Sequence, residues 1–392
     1  MKYVEKMITS ARLRWGGIKF DRNEFSGAFG DIGTDLPLII GMILASDLDV
    51  ASVLIVFGMM QLLTAFIYGL PMPVQPLKAV AALVIAQKIS GDVIYGAGLA
   101  IGIMMLLLTV TGLIDWLARV IPKSVIRGIQ FGLGLKLASI ALKDYVMADG
   151  IAGCSLAAIG FVLTVFLIGN RKYPPAIFVI ILGVIYAFLF KLDGTAVVNS
   201  VGFRLPQFHA PTLPDILTGF VVLALPQIPL SLGNSIFATK QLTHDLFPER
   251  HITVRKISLT YGVINLINPF ISGIPTCHGS GGMAGHYTFG ARTGGSVIIY
   301  GSFYLLFGLF FSTGFENIIK IFPLPILAVV LVFESIALMM LIRDISVSKA
   351  DFSIALLVAL MANFLPYGFV IGLTVGILLA YLAEKHITGL AK

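Results

Sequence analysis

Apolar runs near twenty residues alternate with short polar interruptions along almost the whole chain, and each run is about long enough to cross a hydrocarbon core. The pattern predicts spans at roughly 25–45, 51–70, 73–88, 92–115, 122–142, 154–170 and 174–190. A second set falls at roughly 215–238, 254–272, 276–290, 295–313, 322–341, 350–364 and 367–384. The fold class is therefore an all-α polytopic membrane protein of about 14 transmembrane (TM) segments. An even count puts both termini on one side of the bilayer.

The third and tenth segments are interrupted. Pro71-Met-Pro-Val-Gln-Pro-Leu-Lys78 and Pro275-Thr-Cys-His-Gly-Ser-Gly-Gly282 each combine residues that stop a spanning helix partway across, proline by removing a donor and fixing φ, glycine by loosening the backbone. A pair of such breaks at matching positions in two halves points to a transporter's binding site. The rest of the pattern repeats in the same order in both halves. Seven segments are odd in number, so the second half enters the membrane from the opposite side, which makes a 7+7 inverted repeat. The predicted units are a basic N-terminus at 1–22, a first repeat at 23–190, a linker at 191–214 and a second repeat at 215–392.

Composition agrees with that setting. Hydrophobic residues make up 57% and charged residues 12%, where a soluble domain carries about 25% charged; mean hydropathy is +0.96. The net charge of +7 is mostly topological and gives no reason to expect nucleic acid as a partner. Twenty of the 27 Lys and Arg fall on the side that carries both termini, which the positive-inside rule makes cytoplasmic. The expected location is the cell (plasma) membrane. The basic first residues lack the apolar core of a cleavable signal peptide. With only Cys154 and Cys277, no disulfide framework is expected.

Two half-helices that begin inside the membrane with opposed N-termini offer unpaired N–H donors and roughly half a positive charge each. That is a site for an anion. Around the first break, Val74 and Gln75 lie in the lead-in and Lys78 supplies a cation about one turn on. At the second, Gly279, Gly281 and Gly282 let the backbone approach a ligand, while Thr276 and Ser280 add hydroxyls. Gln227, Ser231 and Asn234 stand at i, i+4 and i+7 on the eighth segment and share one face. Cys277 and His278 stand without a second Cys/His cluster in the sequence, so neither a nucleophile nor a metal site is expected; Cys277 is expected to line the cavity, and His278 to line it or to donate one hydrogen bond. Neither an enzyme nor a cofactor is expected. Asp31, Thr34 and Asp35 hold the matching face of the first segment. There one or both carboxylates carry a coupling proton or cation, or they pair with Lys78 or cap the unwound backbone. Lys136 and Glu334 are intramembrane charges on matching segments, expected to pair across the pseudo-twofold axis, with a proton relay as the alternative.

Pro73-Val-Gln-Pro-Leu-Lys-Ala79, Pro275-Thr-Cys-His-Gly-Ser-Gly-Gly-Met-Ala-Gly285, Phe289-Gly-Ala-Arg-Thr-Gly294 and Gly27-Ala-Phe-Gly-Asp-Ile-Gly-Thr-Asp-Leu-Pro37 together resemble the molybdate transporter family, a branch related to the SulP sulfate permeases. The resemblance implies core segments within 23–118 and 215–314, gate segments within 119–190 and 315–392, and molybdate as the substrate. Tungstate is the expected competitor. Dimerisation is expected only by analogy, and a regulatory STAS domain after the last helix is not expected. The rival readings are a sulfate or other oxyanion permease, a nucleobase or carboxylate permease, and an anion-sensing membrane scaffold.

Overall fold

A computed structural model describes residues 17–114, 116, 120–167, 175–190, 201–314 and 322–390. The first repeat contains α1 (Arg22–Ser46), α2 (Val50–Tyr68), β1 (Val74–Pro76), α3 (Lys78–Gln87), α4 (Gly91–Val110), α5 (Lys123–Tyr145), α6 (Gly150–Leu167) and α7 (Pro175–Phe190). The second contains α8 (Leu213–Leu246), α9 (Val254–Ile267), β2 (Thr276–His278), α10 (Ser280–Thr288), α11 (Gly295–Phe310), α12 (Leu324–Ile345), α13 (Lys349–Phe364) and α14 (Gly368–Leu390). Each predicted span thus has its helix. Seven of them are long and apolar enough to cross a membrane on length and composition, and four more are shorter apolar helices.

The boundaries depart from the apolar runs where polarity and helicity part company. α8 continues past 238 through the polar stretch Thr239–Leu246, because hydropathy reports where lipid ends and not where the helix does. Caps set other ends. The Asp49 carboxylate accepts from the Ser52 N–H at 2.7 Å to start α2, and Gly69, at φ 64°, stops it.

Packing follows the inverted repeat. α2 lies along α11, and α9 lies along α4; these are equivalent pairs when segment n of the first half is matched with segment n+7. Both contacts are close because small residues face each other. A Cβ at Gly58 would meet the Gly301 carbonyl at 2.7 Å, and one at Gly102 would meet the Leu266 N–H at 2.8 Å. α5 packs on α12, its own counterpart, and α13 and α14 pack on α5.

The two lead-ins pair with each other. β1 and β2 form an antiparallel ribbon with Val74 opposite His278, Gln75 opposite Cys277 and Pro76 opposite Thr276. The half-helices α3 and α10 leave its two ends. Pairing satisfies the backbone of two unwound segments that lie fully buried at membrane depth.

Candidate functional site

A cavity of about 230 Å³ opens between the ribbon, α8, α10 and α12. At roughly 30 Å³ per water it could hold seven or eight of them, or a small oxyanion with part of its hydration. Gln75 and Lys78 line it from the first lead-in and half-helix, and Gln227 and Asn234 from α8. From the second break come Cys277, Gly279, Ser280 and Gly281. Ser235 and Glu334 add to the polar wall, and Leu230, Ala337, Leu338 and Leu341 form the apolar one.

Strand alternation decides which lead-in residues reach the cavity. Gln75 and Cys277 are cross-ribbon partners and face it together. Val74, Thr276 and His278, expected there from sequence, stand on the other face. The Val74 backbone is held by Gln61, whose Oε1 accepts from the Val74 N–H at 2.9 Å and whose Nε2 donates to the Val74 carbonyl at 2.8 Å. Asn265 makes the same double clasp on Thr276, at 3.0 and 2.7 Å. His278 packs edge-on against Tyr68 and shares a 2.7 Å hydrogen bond with Thr260 Oγ1 through Nε2. None of these three lines the cavity.

The two half-helix ends are treated differently. At α3, Gln227 Oε1 accepts from the N–H groups of Ala79 (3.0 Å) and Val80 (3.4 Å), so a side chain from α8 caps it. The expectation that backbone donors after Pro73 are open to a ligand is corrected here: of that first turn, only the Lys78 N–H lacks a partner among the described residues. Gln227 Nε2 in turn donates to Ser231 Oγ at 3.1 Å, and Ser231 shares a 2.7 Å bond with Tyr261, which turns Ser231 away from the cavity. At α10 no side chain caps the end, and the N–H groups of Ser280, Gly281 and Gly282 have no partner among the described residues. A Cβ at Gly281 would meet nothing within 4 Å. At Gly279 a side chain would run into the Gln75 carboxamide, so glycine is required by close approach.

The acidic face of α1 supports the site without lining this cavity. Gln75 Nε2 donates to Asp31 Oδ2 at 2.6 Å, and the same carboxylate lies against the first turn of α10, 2.5 Å from where a Gly282 Cβ would stand. Gly282 is accordingly packed against α1 rather than exposed to a ligand. Tyr300 donates to Asp35 Oδ2 at 3.1 Å and also bonds Tyr304. Neither carboxylate forms an ion pair with Lys78.

Glu334 corrects the expected gate pair. Its Oε2 lies 3.6 Å from Lys78 Nζ, and its Oε1 accepts from Thr34 Oγ1 at 2.9 Å; no ion pair with Lys136 is among the contacts of the described residues. The rotation of α5 explains this. Gly134 faces α12, close to the Ser335 carbonyl and Met339, and a residue two positions on points about 200° away from it. Gln61, Asn265 and Ser235 escaped sequence reading, although Gln61 and Asn265 were visible as amides inside apolar spans. Glu334 was singled out, but with the wrong partner.

The chain is similar in sequence and in fold to known proteins. A family model described as "Molybdate transporter of MFS superfamily" matches residues 23–137 and 219–338, one block in each repeat. The halves of that superfamily are six-helix units related by an axis along the membrane normal, which is not the arrangement of α1–α14. Molybdate transporter 2 of Arabidopsis thaliana is 34% identical over 385 residues, covering 86% of this chain and 82% of that protein. Molybdate transporter 1 of Arabidopsis thaliana is 32% identical, over 89% of this chain and 86% of its own length. Among solved structures, the transmembrane domain of a cyanobacterium bicarbonate transporter, BicA, superposes with a TM-score of 0.62 at 16% identity, over 88% of this chain and 97% of that one. SLC26A9 gives 0.69 at 14% identity, over 92% of this chain and 64% of that one. At such identities these likenesses concern the fold, which is the 7+7 inverted repeat.

Proposed function

The chain belongs to the molybdate transporter family, and from that premise we propose that it carries molybdate across the plasma membrane, with both termini cytoplasmic. One observation carries the reading at the level of the site: the uncapped N-terminus of α10 shares a cavity with the Lys78 ammonium. Molybdate is a tetrahedral dianion. Ser280 and Gly281 offer it backbone donors and the positive end of a helix, and Lys78 offers one full charge. The Ser280 hydroxyl and the Asn234 amide add donors from the wall, whereas the Gln75 and Gln227 amides, bonded to Asp31 and to the start of α3, shape the cavity rather than hold the oxyanion. A site with one lysine and no arginine binds the dianion through dispersed hydrogen bonds, which keeps release feasible in each cycle.

Transport in this reading is alternating access. Core segments 23–118 and 215–314, which hold the ribbon and both half-helices, move against gate segments 119–190 and 315–392, with 191–214 as the link. The hydrogen bonds of Asp31 to Gln75 and of Asp35 to Tyr300 favour a supporting role for the two carboxylates. The test is uptake of labelled molybdate by proteoliposomes of the purified chain. Saturable uptake that tungstate suppresses nearly as well as unlabelled molybdate, and sulfate less well, is expected. Uptake no greater than in protein-free liposomes would end the proposal, and equal suppression by sulfate would make this a general oxyanion carrier.

A further inference from the structure

Glu334 sits where two cavities meet. It lines the one that holds Lys78, Ser280 and Gly281, and a second of about 290 Å³ bounded by Thr34, Gly33, Phe289 and Phe333. It is mostly buried, its side chain 17% exposed, and it comes from α12, whereas both groups it touches, Lys78 on α3 and Thr34 on α1, belong to the proposed core. An anionic side chain in the wall of an anion site is costly unless it has a task. Its position supplies one, because among the described residues the only cation lining the cavity is the one it holds.

We propose that Glu334 is an internal stand-in for the transported anion: in the empty protein its carboxylate occupies Lys78, and an entering dianion must displace it. The inference rests on the reading of this cavity as the molybdate site. Displacement would make loading and release of α12 one event, since Lys78 cannot serve both partners fully. It would also favour a doubly charged ligand over a singly charged one, because the newcomer must outbid a carboxylate already in place.

The test is equilibrium binding of molybdate, with tungstate and sulfate run beside it, to purified full-length wild type, E334Q, E334D, K78Q and the K78Q/E334Q double variant, each checked for monodispersity. E334Q is expected to bind molybdate about tenfold more tightly, the scale of one charge-assisted contact no longer competed for. E334D keeps the negative charge but shortens the reach to Lys78, and should tighten binding about threefold, an intermediate effect on the same scale. In the K78Q background the Glu334 substitution should change affinity less than about twofold, because the competition has lost its object. Unchanged or weaker binding by both Glu334 variants would overturn the proposal. So would equal tightening with and without Lys78, which is what simple charge repulsion predicts. Wild-type protein that binds none of the three dianions would overturn the functional reading and this inference with it.

Discussion

The N-termini of α3 and α10 are equivalent by the inverted repeat, follow paired strands and face one cavity, yet they have opposite fates. At α3 the Gln227 carboxamide takes the donors of Ala79 and Val80. At α10 the donors of Ser280, Gly281 and Gly282 are left without a protein partner among the described residues. The side chains compensate in the reverse sense, since α3 begins with Lys78 and α10 begins with Ser280 and two glycines. One half-helix therefore contributes a charged side chain on a sealed end, and the other contributes bare backbone. The site is symmetric in scaffold and asymmetric in chemistry, so a tetrahedral ligand meets a point charge on one side and a fan of directional donors on the other.

The sharpest way to break this contrast is to remove a donor at α10. Gly281→Pro lacks the N–H but suits the first turn of a helix, so α10 should persist while molybdate binding weakens about 10- to 100-fold, the equivalent of one hydrogen bond to a charged group. Titration calorimetry on purified protein reads it directly; an unchanged affinity would mean that the open end is not what holds the anion. The matching change at the sealed end is Gln227→Ala. It uncaps Ala79 and Val80 and should destabilise the fold by about 1–3 kcal/mol, seen as a lower thermal midpoint, while affinity changes less than about threefold because water replaces the lost cap. If Q227A instead bound molybdate much more tightly, the sealing of α3 would be a brake on affinity and not simply structural. The smallest effect belongs to His278→Gln. With His278 on the far face of the ribbon and bonded to Thr260, the variant should alter affinity by less than about twofold, as a substitution outside the binding surface does. A larger loss would mean that the ribbon turns its other face to the ligand during transport.

The sequence carried most of this architecture and only part of the site, for reasons that individual residues make plain. Span number followed from apolar length, and the broken helices from Pro71, Pro73, Pro76 and the glycines after Cys277, because both signals are local. The capping of α3 depends on a hydrogen bond between residues 148 apart, and no local pattern marks Gln227 as its acceptor. Glu334 was conspicuous as a charge in an apolar helix, but which cation it meets depends on the rotation of α5 and α12, and the apolar runs leave rotation open. The three-residue strands gave no β signal of their own, and Pro76 argued against one. Their alternation is nonetheless what places Gln75 and Cys277 inward and Val74, Thr276 and His278 outward.

That ribbon also limits how the two repeats can diverge. Substitutions can accumulate separately in either half, as Lys78 against Ser280 shows, but chain length cannot. Inserting or deleting one residue in either lead-in would shift the register by one and turn that strand over. Val74 or His278 would then face the cavity in place of Gln75 or Cys277, and the half-helix behind it would be rotated as well. Only a compensating change of length in the other repeat would restore the pairing. Segments 71–77 and 275–279 are therefore constrained in length as one unit, although nearly two hundred residues of chain lie between them.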